Sequence, residues 1–218
     1  MNMSLERFVL GAFLTNGYLL VAGEEAMLVD PATPSEEVKA RIEREGLKLR
    51  YILNTHGHID HIGGNAFFKA CFPEARLIIH EKDLLYLQNP SLNLSLEVST
   101  PYVSPSPDLV IRGGRESAMV FGPEEVLFLP TPGHTPGSLC LFLPRMGWLL
   151  SGDTLFAGSV GRVDLPGGSL QDLLASLAVI FARFPDDTLV YPGHGPETTI
   201  GDEKRENFYY LEYVATRP

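Results

Sequence analysis

The chain has 218 residues and 44% of them are apolar, which is enough for one sizeable hydrophobic core. Its formal net charge is −10, and because a diffuse negative field repels phosphate backbones, nucleic acid is not expected as a partner. The two cysteines, Cys71 and Cys140, have apolar neighbours, so we expect buried free thiols rather than a disulfide framework.

Three apolar runs bounded by turn residues begin the chain and predict three strands, RFVLGAF, GYLLVAG and AMLVD. Glu6 and a cluster of Gly, Thr and Asn residues interrupt this stretch, so neither a signal peptide nor a membrane span is expected, and the protein is expected to be cytoplasmic. Thr33 as N-cap, Pro34 in the first helical position and Gly46 at the end predict a helix over TPSEEVKARIEREG.

Alternating strand and helix patterns follow. RYILNTH and ARLIIH predict strands, whereas NAFFKACF and EKDLLYL predict helices. Residues 88–107 are rich in Ser, Pro and Asn and predict a long, mobile loop that borders the functional cleft.

The second half repeats the order of strands followed by helix. VLFLP, SLCLFLP, GWLLSGD and TLVYPGHG predict strands, Ser169 caps a clear helix over SLQDLLASLAVIFARF, and DEKRENFYYLEYV predicts one last helix. Two sheets covered by outer helices are therefore expected, in an α/β four-layer αββα sandwich that forms one domain over residues 1–218.

Histidines are concentrated in turns. Three of the six lie in THGHIDHIGG (55–64), while His134 and His194 lie in Gly/Pro-rich turns after strand-like runs, as does Asp153. A common cause is needed, and imidazole with carboxylate is the ligand set for Zn²⁺, Fe or Mn²⁺. His80 ends a strand and opens a helix, which favours a capping or surface role.

The number of candidate ligands exceeds what one ion needs. Seven side chains are too many for one metal and the right number for two that share a bridge. His56 and His58 alternate and can face one ion, whereas Asp60 and His61 lie further round the turn and can face the other. The candidates are His56, His58, Asp60, His61, His134, Asp153 and His194.

The motif HGHIDH, followed by PGHTPGS, SGDTLF and PGHG, resembles the motif series of the metallo-β-lactamase fold superfamily over nearly the whole chain. The resemblance implies the αββα sandwich. It also implies a ligand division, with His56, His58, His134 and Asp153 on one metal and Asp60, His61, Asp153 and His194 on the other, so that Asp153 bridges.

The segment GSVGRVDLPGGS (158–169) is similar to the glyoxalase II group, specifically its short hydroxyacylglutathione hydrolase-like members, although Val163 departs from the hydroxyl residue common there. This implies hydrolysis of a small acyl-thioester or ester by a hydroxide held on two metals, most simply Zn, with Asp60 orienting the hydroxide. β-Lactamase activity is disfavoured, because true β-lactamases lack a carboxylate bridge like Asp153.

Two substrate contacts remain open at this level. Arg162 matches a basic position of the family's substrate loop, but it can equally pair with Asp164. Tyr102 in the long loop can line the cleft or simply pack. Only 24 residues follow His194, so the helical glutathione-binding domain of full-length glyoxalase II is not expected.

Two other functions use the same residues. Persulfide dioxygenases of the superfamily hold one Fe(II) with the equivalents of His56, His134 and Asp153. A metal-binding protein without turnover is the third alternative. The expected partner is a small-molecule thioester or ester, no membrane is expected, and the sequence leaves homodimer formation open.

Overall fold

The computed structural model describes residues 3–98 and 100–216. They fall into two compact units, the first running to Gly113 and including Val120–Pro123, and the second comprising Gly114–Met119 and the chain from Glu124 onward. The prediction of a single domain over residues 1–218 stays a prediction.

The described residues up to Gly113 form six strands and five short helices. A 3₁₀ turn, Glu81–Asp83, precedes the fourth helix. In chain order the elements are β1 (Met3–Leu10), β2 (Thr15–Ala22), β3 (Glu25–Val29), α1 (Glu36–Arg44), β4 (Lys48–Leu53), α2 (Ile59–Ile62), α3 (Asn65–Cys71), β5 (Arg76–His80), α4 (Leu84–Gln88), α5 (Ser95–Val98) and β6 (Leu109–Ile111).

One six-stranded sheet organises this unit, in the order β1-β2-β3-β4-β5-β6. β1, β2 and β3 are antiparallel, whereas β3 to β6 are parallel, because α1 and the segments after β4 and β5 carry the chain back across the sheet. The core beneath is built from strand and helix residues that alternate inward, among them Leu28, Ile42, Ile52 and Phe68. Parallel strands therefore deliver their carboxyl ends, and the loops that follow them, to one edge.

The predicted start of the first helix is wrong by two residues. Ser35, not Thr33, is the N-cap of α1, since its hydroxyl accepts a hydrogen bond from the Val38 N–H at 3.3 Å. Pro34 consequently precedes the helix. The end is as predicted, because Gly46 has a φ of +62°, which favours glycine.

The Ser/Pro-rich segment 88–107 is mostly irregular, as predicted, but it contains α5, and Ser99 lies outside the described residues. Its anchor is Asn93, whose buried amide donates to the Tyr86 and Tyr102 carbonyls at 2.9 and 3.0 Å. The Asn93 carbonyl in turn accepts from the Ile59 N–H at 2.8 Å. The segment therefore lies against the histidine loop, while its mobility stays a prediction.

The elements of the second half are β7 (Ser117–Phe121), β8 (Glu124–Pro130), β9 (Leu139–Leu143), β10 (Trp148–Gly152), β11 (Leu155–Phe156), β12 (Ser159–Val160), α6 (Leu170–Arg183), β13 (Leu189–Pro192), β14 (Thr198–Thr199) and α7 (Ile200–Glu206). The large sheet has the order β14-β13-β10-β9-β8-β7, and β11 pairs with β12 in a small hairpin. β10 and β13 are parallel and α6 connects them across a core containing Leu173, Leu177 and Val190.

The predicted cap of α6 is confirmed, because the Ser169 hydroxyl accepts from the Asp172 N–H at 3.2 Å. In this helix Leu173, Leu174, Leu177 and Phe181 are buried, whereas Leu170 at its first position is 44% exposed. The short strands β6, β7, β11, β12 and β14 were not predicted, since two to five residues give too little alternation to recognise.

The last predicted helix is interrupted. α7 ends at Glu206, and a separate π-helical turn covers Tyr210–Val214. Asn207 explains the break, because its buried amide donates to the Ser159 carbonyl at 3.1 Å and its side-chain oxygen accepts from the Tyr209 N–H at 3.0 Å. No helix among residues 3–98 and 100–216 is long and apolar enough to cross a membrane.

Candidate metal centre

The first unit carries four of the predicted ligands in the loop after β4 and in α2. His56, His58 and His61 are each at most 2% exposed. His56 Nε2 and His58 Nδ1 lie 3.1 Å apart, the rings of His56 and His61 have centroids 4.1 Å apart, and His61 Nε2 lies 3.7 Å from Asp60 Oδ2. Four donor atoms of the type that binds divalent metals are thus gathered within one turn of chain.

A buried aspartate that the sequence reasoning did not identify orients two of these histidines. Asp30 follows β3 with a φ of +51° and is 1% exposed. Its Oδ2 accepts from His61 Nδ1–H at 2.9 Å and from the Thr55 hydroxyl at 2.7 Å, and its Oδ1 accepts from the Thr55 N–H at 2.8 Å. Because a carboxylate only accepts here, His61 carries its proton on Nδ1 and presents the Nε2 lone pair.

Asp30 also orients His56, through the hydroxyl of Thr55. The Thr55 hydroxyl has one proton, which it donates to Asp30, so its oxygen accepts from His56 Nδ1–H at 3.2 Å. His56 therefore also presents Nε2. A carboxylate that fixes the tautomer and ring orientation of metal-binding histidines is a common feature of metal sites.

Glycines allow the loop to pack this closely. A Cβ on Gly57 would overlap the Tyr86 side chain, and the Gly57 N–H donates to Asp83 Oδ2 at 2.9 Å. A Cβ on Gly63 or Gly64 would overlap the carbonyl oxygens of the segment after β3. The glycines of THGHIDHIGG are thus required by backbone approach rather than by turn conformation alone.

The second unit brings together the other three predicted ligands. Asp153 Oδ2 lies 3.6 Å from His134 Nε2 and 3.6 Å from His194 Nε2. His134 Nδ1–H donates to the Arg162 carbonyl at 2.7 Å, which leaves Nε2 as the lone-pair nitrogen facing Asp153. One carboxylate oxygen shared by two imidazole nitrogens is a suitable arrangement for cation binding.

The β11–β12 hairpin holds this arrangement. Gly161 passes so close to the Asp153 carbonyl that no Cβ fits there. The hairpin is fixed from α7, because the buried carboxylate of Glu203 accepts from the Gly158 N–H at 2.9 Å and from the Thr198 hydroxyl at 2.7 Å. Glu203 and Asn207 thus position the peptide that orients His134.

Residues 10–194 match the family model of the Metallo-beta-lactamase superfamily. The chain belongs to this superfamily. The resemblance stated from the HGHIDH motif series is therefore confirmed, and the two large sheets with their helices match the metallo-β-lactamase fold. The His and Asp clusters of the two units, in a member of this superfamily, indicate binding of divalent metal ions.

Similar proteins cover almost the whole chain. The probable metallo-hydrolase YqgX of Bacillus subtilis is 34% identical over 94% of this chain and 96% of its own length. The hydroxyacylglutathione hydrolase GloC of Haemophilus influenzae is 33% identical over 94% of this chain and 97% of its own. The crystal structure of the B3 metallo-beta-lactamase BLEG-1 has a TM-score of 0.88 at 34% identity, covering 94% and 99% of the two chains.

A second crystal structure bears on the metal. TTHA1623, described in a di-iron-bound form, has a TM-score of 0.82 at 35% identity and covers 94% of this superfamily member and 99% of its own chain. That protein binds iron. Zinc as the metal of the present chain, with iron or manganese as alternatives, stays a prediction.

The predicted substrate contacts of Arg162 and Tyr102 stay predictions, and both side chains have partners within this metallo-β-lactamase superfamily member. Arg162 forms two hydrogen bonds to the Asp164 carboxylate, at 2.7 and 2.6 Å, and this pair lowers the pKa of Asp164 to about 2. Tyr102 packs against a small core of Ile62, Ile79 and Leu87, and its hydroxyl accepts from the Ala66 N–H at 3.3 Å. Tyr102 therefore supports the segment after α2.

Two further predictions concern His80 and the cysteines. His80 caps the 3₁₀ turn, since its Nδ1 accepts from the Lys82 N–H at 3.3 Å, but it is buried rather than on the surface. Both cysteines are free; Cys140 is buried and Cys71 is half-buried. Burial raises the pKa of Cys140 to about 11, so it does not supply a thiolate nucleophile at neutral pH.

Proposed function

We propose that this protein is a binuclear metallo-hydrolase that cleaves a small acyl-thioester of the S-lactoylglutathione type, or an ester. The observation that carries the proposal is the donor set, in which four buried or half-buried side chains gather in the first unit, and His134 and His194 meet Asp153 in the second. Likeness to GloC, named a hydroxyacylglutathione hydrolase, supports the thioester substrate.

The donor set fits two divalent cations. All seven ligands offer nitrogen or carboxylate oxygen, and neither cysteine belongs to the set, which is typical of catalytic rather than structural zinc sites. We assign His56, His58 and His134 to one ion, Asp60, His61 and His194 to the other, and Asp153 to both. Bound divalent cations lower the pKa of a coordinated water towards about 7 and stabilise negative charge on a carbonyl oxygen.

The chain's own residues orient this chemistry. Asp30 holds the imidazoles of His61 and, through Thr55, of His56, while the Arg162 carbonyl holds that of His134. Asp60 has a carboxylate oxygen near His61. This oxygen accepts a hydrogen bond from the attacking water and so turns a lone pair of the water towards the acyl carbon.

The proposed reaction uses water as the nucleophile and needs no nucleophilic side chain. The water oxygen forms a bond to the acyl carbon, the carbon–sulfur bond breaks, and both water protons pass to the solvent, from which the released thiolate takes one back at neutral pH. A thiol has a pKa of about 8.5, so the thiolate leaves without a general acid and the acid product remains as carboxylate. Neither Cys71 nor Cys140 takes part.

The test combines metal analysis with turnover. Protein purified without added metal is analysed for metal content, and then the zinc- and iron-loaded forms are assayed with S-lactoylglutathione, a β-lactam such as nitrocefin, and glutathione persulfide with an oxygen electrode. We expect two metals per chain and thioester hydrolysis as the fastest reaction. One iron per chain with rapid oxygen uptake and no thioester turnover would establish the dioxygenase instead, and β-lactam hydrolysis alone would establish a lactamase.

A further inference from the structure

A cleft in the first unit adjoins one of the assigned ligands. It has a volume of about 280 Å³ and reaches from the turn between β1 and β2 to the side chain of Asp60. Leu10 and Ala32 lie in the core of this unit and Ile59 precedes Asp60 in α2. The cleft is lined by Leu10, Phe13, Ala32, Ile59 and Val98 together with Asp60.

Apolar side chains are held open to solvent at the entrance. Phe13 is 50% exposed at the tip of the β1–β2 hairpin, and Val98 is 42% exposed at the end of α5. Next to Phe13, Leu14 has a φ of +55°, a conformation that costs free energy for a branched side chain. Solvent-exposed apolar groups that are kept beside a site are typical of ligand-binding surfaces.

The residues that line the cleft favour the acyl group of a thioester over its glutathione group. Asp60 is the only ionisable side chain among the described residues of the cleft, and no Lys or Arg among them offers a charge to the carboxylates of glutathione. Its walls are mainly apolar, so an uncharged hydrocarbon group gains by leaving water there. A cavity of about 150 Å³ holds a benzene molecule, so this cleft has room for a phenyl ring or a medium-length chain.

We propose that this cleft binds the acyl part of the substrate, so that among the small acyl-thioesters hydrolysed, those of apolar acids of about four to eight carbons react faster than the lactoyl thioester. The inference rests on the proposed hydrolase function and adds the substrate class to it. Phe13 is the specificity-determining residue, because it is the largest side chain at the entrance and reaches the cleft that ends at Asp60.

The first experiment measures kcat/KM for acetyl, butyryl and hexanoyl thioesters of one small uncharged thiol, N-acetylcysteamine. Each methylene that is buried contributes about 0.8 kcal/mol, so kcat/KM should rise about fourfold per methylene until the cleft is full. Phe13→Ala should lower the hexanoyl-to-acetyl ratio about tenfold. Leu85→Ala removes an equally apolar side chain, 70% exposed in the same unit and outside the cleft, and should leave the ratio unchanged.

The second experiment does not depend on turnover. Calorimetry of the metal-loaded protein compares hexanoate with acetate, whose identical carboxylates differ only in the chain. We expect hexanoate to bind at least tenfold more tightly, and Phe13→Ala to remove most of the difference. Equal affinities, or equal loss for both acids in Phe13→Ala, would overturn the acyl cleft. Chain-length-dependent binding without hydrolysis of any thioester would keep the cleft and refute the proposed function.

Discussion

Replacing Asp30 by Asn tests whether this aspartate controls two metal ligands. The substitution keeps the size of the side chain and its tolerance of a positive φ. It places an NH₂ group near His61 Nδ1–H and the Thr55 hydroxyl, where Oδ2 now accepts two hydrogen bonds at 2.9 and 2.7 Å. Two donors then face each other, so His61 moves its proton to Nε2, the nitrogen that we assign to the metal.

The expected loss of metal affinity is about 10- to 100-fold, the range found when partners of metal-binding histidines are removed. Competition with a chromophoric chelator measures it, and circular dichroism checks that the variant folds. Asp108→Asn is the matched control, because Asp108 Oδ2 accepts from the Leu77 N–H and from Lys69 in the same unit but contacts no histidine in the described hydrogen bonds. A zinc affinity of Asp30→Asn within threefold of the wild type would refute the orientation of His61 by Asp30.

Three further results are expected. Asp153→Ala should lose both metals and all turnover, because one carboxylate serves both ions; elemental analysis that still finds two metals per chain would contradict the ligand division. Gly57→Ala should lower the free energy of unfolding by about 1–3 kcal/mol in urea, because a Cβ there meets Tyr86, whereas Gly114→Ala, which meets nothing within 4 Å, should change it little. The unfolded chain releases the Cys140 proton near pH 9.0 and the folded protein only near 11, so stability should fall by about 3 kcal/mol over that interval, and equal losses in wild type and Cys140→Ala would exclude the thiol as a cause.

The candidate ligands could be recognised from the sequence because histidine is scarce, and five of the six histidines lie in predicted turns. The helix α6 was predictable for a related reason, since its 14 residues give a full helical period and a clear cap at Ser169. Long, periodic or chemically unusual segments can therefore be recognised from the sequence without knowledge of the tertiary structure.

Asp30 was not predictable in the same way. It lies 25 residues before Thr55 and 31 before His61, and an aspartate before proline is an ordinary turn signal. Only the pairing of parallel β3 and β4 brings their carboxyl ends together and places Asp30 beside the histidine loop. The break at Asn207 has the same origin, because the Asn207 side-chain amide at the end of α7 donates to the Ser159 carbonyl, 48 residues earlier in the chain.

The acceptor that orients His134 is the peptide carbonyl of residue 162, not the guanidinium of the arginine. Every amino acid has this carbonyl, so a substitution at position 162 changes the exposed side chain without removing the acceptor that orients the imidazole. Gly161 differs, because its lack of a side chain is what lets the hairpin pass Asp153. The two adjacent positions are thus under opposite steric constraints, because the side chain at 162 is free to vary whereas position 161 admits only glycine.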